Sequence, residues 1–483
     1  MAWIRSLNAT QGSYHSNVAK PKSGRPTGGY VLDTRASHDA AKRVRRRCVR
    51  PAAVLLALFV ASLCVAAPRT IAQSADEFRR FVQELWPDAQ GMGVSRATFD
   101  AAFRGVEPDL SIPDLVLPGQ GKEVKGQAEF TRTPAEYLAV SHLARLTEQG
   151  RSLLTQHAAD LAKIEQAIGV QRNVVLAIWG RETAFGAHRS PHYAVQVLAT
   201  QAWLGRRKEM FRTELLYALK MLEDKVRTRE TMNASWAGAM GLTQFMPSEF
   251  YTVAYDLDGD GRKDIWGSVG DALASAANQL KAKGWVSGQS WGYEVRLPPS
   301  LNCLAEGQDR TRPLREWIKA GVVRTRGREF PADVQDAPAF VLTPAGAYGP
   351  AFLALENFLV IKRYNMSDLY ALFVGNLSDR IAGGGDFETP WASVRQLSSK
   401  SVEQLQERMQ GLGYAVAKID GKAGMNTRAL VGAYQKANSL KVDCWPSEAV
   451  LTHMRGTGVR GPEAAGKSTD SDVTRGKSGL GVQ

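Results

Sequence analysis

Between Asn173 and Phe185 the chain reads NVVLAIWGRETAF, and this run limits what the protein can fold into more than any other segment. Val175, Ile178, Trp179 and Glu182 fall at i, i+3, i+4 and i+7, so on a helix they share one face. That face is apolar except for Glu182, and the chain must build a core against it. A carboxylate there is costly in its charged form, which raises its pKa and suits it to donate a proton near neutral pH. Gly186 is expected to end the helix and leave Glu182 in the last turn, where the helix dipole also disfavours ionisation. Arg181 is not its helical partner, because residues i and i+1 do not face each other. The alternative reading of the same pattern is an acid that caps a buried arginine or points to solvent.

At 483 residues the chain exceeds one ordinary domain. Apolar residues make up 44% and charged residues 23%, a balance that supports real cores and excludes a disordered chain. The net charge of +13 suggests nucleic acid at first sight, but residues 1–72 hold 12 Lys/Arg against 2 Asp/Glu, leaving 49 against 46 elsewhere. A nearly neutral body lacks the electrostatic footprint of a nucleic-acid binder, and no nucleic-acid partner is expected. Arg43, Arg45, Arg46, Arg47 and Arg50 precede the apolar run Ala52–Ala67. The run falls short of the roughly 20 residues a membrane span needs. Thr70, Ile71 and Ala72 then supply a cleavage-site pattern, so 51–72 reads as a signal peptide and 1–50 as a polar extension that points to a misassigned start. An uncleaved leader would instead associate the chain with a membrane. Leu63 stands before Cys64 where a lipid-attachment site wants a small residue. Only Cys303 and Cys444 then remain, and as residues of separate units they are expected to be free, buried thiols.

Residues 73–290 carry helical patterning. From 291 to 345 short apolar or alternating runs between Pro and Gly breaks, at Gly292–Leu297, Gly321–Thr325 and Ala339–Leu342, predict strands. Helical pattern returns over Pro350–Ile381. Gly383, Gly384 and Gly385 open an expected flexible linker, assigned to 386–400. A compact unit follows at 401–456, and the Gly/Ser/Thr-rich tail 457–483 is expected to be disordered.

Five segments occur in order: GRETAFG around Glu182, ASWAGAMGLTQFMPS over Ala234–Ser248, DLDGDGRKDIW over Asp256–Trp266, ALASAANQL over Ala272–Leu280 and RYNMSDLY over Arg363–Tyr370. Together they resemble the membrane-bound lytic transglycosylase B family of peptidoglycan lyases, over about 76–385. The resemblance implies a mainly α (α+β) chain: a lysozyme-like catalytic core over 73–385 with a small β subdomain. It also implies non-hydrolytic cleavage between N-acetylmuramic acid and N-acetylglucosamine, ending in a 1,6-anhydro sugar. By that likeness Glu182 is the catalytic acid, and Ser235, Gln244, Tyr364, Asn365, Tyr370 and, upstream, Tyr137 line the glycan cleft. Aromatic faces suit sugar rings, and amides suit acetamido and hydroxyl groups. Peptidoglycan strands are the expected partner, the protein a monomer, and its place the periplasm or outside the cell. A water-using muramidase and an inert wall-binding protein are the rival readings.

Asp256, Asp258, Asp260 and Asp264 stand at positions 1, 3, 5 and 9 of an EF-hand-like loop, with Gly261 at position 6 and the Arg262 carbonyl at position 7. Position 12 is Gly267 rather than Glu, and the resembling family closes a longer loop with a later Asp, which implies Asp271. Four carboxylates this close repel without a cation, and Ca²⁺ in a structural role is expected. In the last unit Leu405, Met409 and Leu412 recur at helical spacing. Ile419-Asp420-Gly421 forms a turn, Thr427 starts a second helix, and Leu430 and Tyr434 share its face. This unit resembles the peptidoglycan-binding domain-1 family, a small three-helix domain; it departs at Cys444-Trp445, where the family commonly has Gly and an aromatic.

Overall fold

Glu182 lies at the end of the helix Arg172–Thr183, which sits in the middle of the largest core, packed by the helices Val140–Gln156, Val269–Ala282 and Asp368–Ile381. This is a computed structural model; it describes residues 71–117, 131–456 and 458–462. The extension 1–50, nearly all of the leader 51–72 and the tail beyond 462 lie outside the described residues. Among the described residues no helix is long and apolar enough to cross a membrane.

The central helix is buried on almost every side: Val174 through Gly180, Glu182 and Thr183 are all buried. The four-residue face read from spacing is therefore only part of a helix enclosed almost all round, with Arg172, Asn173 and Arg181 left half-buried. It stops at Thr183, earlier than Gly186, because Ala184, Phe185 and Gly186 all take positive φ (48°, 57° and 83°). Such angles cost an L-residue roughly 1–2 kcal/mol each. What holds them is the Phe185 ring, folded back over Gly180 and edge-on to Trp179 at 5.5 Å. A Cβ on Gly180 would lie 2.6 Å from Phe185 Cζ, and one on Gly150 2.6 Å from Ile381 and 3.3 Å from Phe185.

A small antiparallel sheet forms the β subdomain. Its strands are β3 (Gly292–Arg296), β4 (Arg312–Pro313), β5 (Val323–Arg324), β6 (Pro338–Leu342) and β7 (Ala351–Ala354), in the order β4-β6-β7-β3-β5. A two-stranded pair, β1 (His192–Tyr193) with β2 (Asn233–Ala234), lies within the helical part. The pairing Tyr293↔Leu353 and Val341↔Leu353 centres the sheet on β7. That strand falls where helical pattern was expected to resume; its run AFLA is too short and too apolar for periodicity to separate strand from helix. Three helices, Ser399–Gly411, Met425–Ala437 and Glu448–Met454, make the last unit around its own core of Val402, Leu405, Met409, Val431 and Tyr434. Gln406 explains the Asp-Gly turn: its Oε1 accepts from the amides of Asp420 (2.9 Å) and Gly421 (3.0 Å), and its Nε2 donates to Thr427 (3.1 Å). The expected class, mainly α with a small β subdomain and a three-helix C-terminal unit, is the one observed.

Two expectations about the C-terminal unit need correction. The segment 386–400 is not loose. Phe387 packs edge-on against Phe352, the amides of Glu388 and Thr389 each donate to Glu294 at 2.8 Å, and the Ala392 amide donates to the Tyr348 carbonyl. Cys303 and Cys444 are not free thiols: they form a disulfide, with Cα atoms 6.1 Å apart, that joins the β subdomain to the last unit. Nothing in the sequence spacing shows that Asp443–Trp445 docks on the residues around Gly346 and Tyr348.

Candidate active site

Glu182 is only 4% exposed. The hydroxyl of Tyr370 donates to its Oε1 at 2.5 Å. Burial, and then the charge of Glu182, push the Tyr370 phenol well above its usual pKa, so it stays a donor. Tyr370 stands in the first turn of Asp368–Ile381, whose cap is Ser367: the Ser367 hydroxyl accepts from the Tyr370 amide at 3.3 Å. Tyr364 stacks on Tyr370, rings 6.2 Å apart and 12° from parallel, and donates to the Thr243 carbonyl at 2.8 Å. It is 1% exposed, so it holds the loop beside the acid rather than offering a ring to a sugar. Asn365 ends the helix Glu356–Asn365 and is 4% exposed.

Arg181, next to Glu182, turns onto an aromatic cluster. Its guanidinium lies over Tyr137, Phe373 and Tyr370 at 5.1, 5.2 and 5.8 Å and donates to the Tyr137 hydroxyl at 2.6 Å. Tyr137 is held by a capping box in which Thr133 and Glu136 satisfy each other's backbone amides. The tyrosine expected from the upstream segment thus reaches the site through Arg181, a contact that no local pattern announces.

The glycine-rich segment Ala234–Ser248 forms a wall beside the end of the acid's helix. The Ser235 hydroxyl accepts from the amides of Ala237 (3.4 Å) and Ala239 (3.1 Å) and tightens the turn. Gly238 takes φ 85°, and a Cβ there would lie 2.3 Å from Leu198. Thr183 donates to the Leu242 carbonyl at 2.7 Å, which ties this wall to the end of the acid's helix. Gln244 sits at the tip with φ 60°. Its Nε2 donates to Gly241 (2.8 Å) and Ser190 (3.3 Å), while its buried Oε1 has no hydrogen-bond partner among the described residues. Ser190 and Thr183 went unnoticed in the sequence because hydroxyls are common and their partners lie 54 and 59 residues away.

In the acidic loop, one carboxylate oxygen each from Asp256, Asp258 and Asp260 lie within 4.8 Å of one another. Gly259 and Gly261, with φ 77° and 85°, let the backbone curl so that their amides donate to Asp256 at 2.7 and 2.9 Å. The all-oxygen set suits a hard cation such as Ca²⁺. Asp264 and Asp271 do not join the trio. Asp264 accepts from the amides of Trp266 and Gly267, and Asp271, 2% exposed, accepts from Leu257 (3.0 Å) and Asp264 (2.9 Å). Asp271 therefore clamps the loop from within; the fold spends both of its oxygens on backbone. Arg262 meets the loop through its amide, which donates to Asp260 at 2.7 Å.

The putative peptidoglycan binding domain family matches residues 398–454. Membrane-bound lytic murein transglycosylase B of Escherichia coli K12 is 30% identical over 236 residues, 49% of this chain and 63% of that relative's length. The crystal structure of SltB3 from Pseudomonas aeruginosa, in complex with NAG-anhNAM-pentapeptide, is 38% identical with a TM-score of 0.70 and covers 78% of this chain and 99% of that one. SltB1 from the same organism is 29% identical with a TM-score of 0.51, over 64% and 98%. Residues 77–379, which hold the buried acid, its tyrosine and the glycine-rich wall, match the transglycosylase SLT domain, and the chain belongs to that family.

Proposed function

We propose that the protein is a peptidoglycan lytic transglycosylase of the cell envelope, exported by the leader 51–72, with Glu182 as acid and then base. The carrying observation is the enclosed Glu182 with the Tyr370 hydroxyl at 2.5 Å. Tyr370 engages Oε1 and orients the carboxyl group, whose proton is the one transferred. Glu182 gives that proton to the oxygen between N-acetylmuramic acid and N-acetylglucosamine. The carboxylate so formed, steadied by Tyr370, accepts the proton of the muramoyl C6 hydroxyl as that oxygen bonds to C1. The sugar's acetamido oxygen shields C1 between the steps, so a second carboxylate is not required. Glu249, whose charge also reaches Tyr364, is engaged elsewhere by Gln279, Lys283 and the Met246 amide.

The unpartnered Oε1 of Gln244 takes an N–H or O–H of the glycan, since an unpaired buried acceptor costs about 1–3 kcal/mol. Ser235, Asn365 and Tyr137 complete the walls of the cleft. Asp256, Asp258 and Asp260 hold a structural Ca²⁺ away from the chemistry. Residues 73–385 form the catalytic unit and 401–456 bind the wall. The test is product mass from purified peptidoglycan: ends lighter by one water than hydrolysis products support the reading, and reducing ends would favour a muramidase.

A further inference from the structure

Three parts of the molecule meet at one buried ionic cluster. Arg428, from the C-terminal helix Met425–Ala437, bonds Glu306 of the β subdomain twice, Nη2–Oε1 at 2.6 Å and Nε–Oε2 at 3.1 Å. Its Nη2 also reaches Asp368 Oδ2 at 3.4 Å. Asp368 is the first residue of the helix that carries Tyr370. It further accepts from the Met425 amide at 2.9 Å and pairs with Lys362 at 2.7 Å. Arg428, Glu306 and Asp368 are 2%, 0% and 7% exposed. Burial alone would raise the Asp368 pKa, but Lys362 and Arg428 outweigh it and hold the group down to about 2. The disulfide Cys303–Cys444 closes the same junction, with Cys303 three residues before Glu306.

Three charges brought out of water at such a junction are worth having only where geometry matters, because buried ion pairs add little net stability over apolar contacts. The geometry at stake is two residues away. Asp368 fixes the start of the helix whose Tyr370 hydroxyl lies 2.5 Å from Glu182. Taking the transglycosylase reading as its basis, we infer that Arg428 is a positioning residue for Tyr370. It acts through Asp368, so the wall-binding unit is part of the frame that aligns the acid, beyond any part it takes in holding substrate.

The test uses the full-length, oxidised protein with three variants: Arg428→Met, Arg428→Lys and the charge-balanced pair Glu306→Gln with Arg428→Met. Soluble, uncrosslinked glycan fragments are the substrate, so that tethering to insoluble wall does not enter. The balanced pair leaves no unpaired carboxylate at Glu306 and keeps Asp368 with Lys362, so its melting temperature should stay near wild type even if Arg428→Met alone folds poorly. Its kcat should fall about tenfold or more with KM little changed, since a displacement of roughly 1 Å at a reacting centre costs up to about 100-fold. Arg428→Lys, which returns a cation to Asp368, should recover most of that loss. A crystal structure of the balanced pair should show Tyr370 Oη beyond about 3.2 Å from Glu182. Unchanged kcat, or a loss confined to KM, or an undisturbed Tyr370–Glu182 bond, would overturn the inference. An inactive wild type would sink the transglycosylase reading instead, and the Tyr370–Glu182 distance would still judge the coupling.

Discussion

The acid site and the acidic loop both concentrate carboxylate chemistry, and they do so in opposite ways. At the acid site a single carboxylate is enclosed and accepts a short hydrogen bond from a phenol. In the loop three carboxylates stand at or near the surface, their oxygens fed by amides of their own turn. Enclosure makes proton transfer the cheapest response of a carboxyl group to its surroundings, while clustering at the surface makes a cation the cheapest one. The residue type is the same; what differs is whether water or charge has been removed.

The sharpest way to break this contrast is Glu182→Gln, which keeps shape and hydrogen bonding and removes the acid. Release of muropeptides should fall about 100-fold or more, and turnover near wild type would leave the site without its acid. Next in size is Tyr370→Phe. The ring keeps its stack on Tyr364 but loses the 2.5 Å bond to Glu182. A hydrogen bond to a charged group contributes about 1.5–3 kcal/mol, so kcat should drop by about 10- to 100-fold with little change in KM.

On the other side of the comparison, Ca²⁺ should raise the melting temperature by several degrees, about 2.7 kcal/mol at 100-fold excess over its dissociation constant. It should leave the chemical step nearly unchanged, Mg²⁺ should act less, and Asp260→Ala should abolish the shift. Equal melting with Ca²⁺ and with chelator would make the loop an ordinary turn.

The smallest effect concerns another carboxylate, Asp379, which is half-buried and takes no part in the proposed chemistry. Burial, opposed by the Trp291 indole N–H and by Arg324 and Arg328, pushes it up to about 7. Because the folded value lies above the ordinary one, its contribution to stability is complete below about pH 4 and is lost as pH rises through about 7. Asp379→Asn should therefore melt on the order of 2 °C higher than wild type at pH 8 and equally at pH 4. A gain at both pH values would mean that packing, not titration, is being read.

What the sequence makes legible follows from the range of the forces involved. The acid's helix, the Asp-Gly turns and the strands β3, β5 and β6 show in local spacing, whereas β4 and β7 do not, because two or four residues are too few for periodicity to register. The enclosing of Glu182 on all sides does not, because the helices that cover it come from Val140–Gln156 and Asp368–Ile381. Tyr364 looked like a sugar platform as part of its segment, but its hydroxyl meets Thr243, 121 residues away. Asp271 fits a ligand by count; its burial and its two backbone donors make it a clamp. The pinned segment after Gly385 reads as a linker because glycine reports local freedom and is silent about docking.

The bridge between Cys303 and Cys444 spans 141 residues. A cross-link over so long a stretch removes loop-closure entropy from the unfolded chain, of order 5 kcal/mol in the chain-entropy account. Such bonds persist only where thiols are oxidised. The same polypeptide made in a reducing cytosol would therefore start from a larger unfolded ensemble, with the junction around Arg428 left to ion pairs, hydrogen bonds and packing alone. Where the chain matures would thus help decide how firmly its two halves are joined.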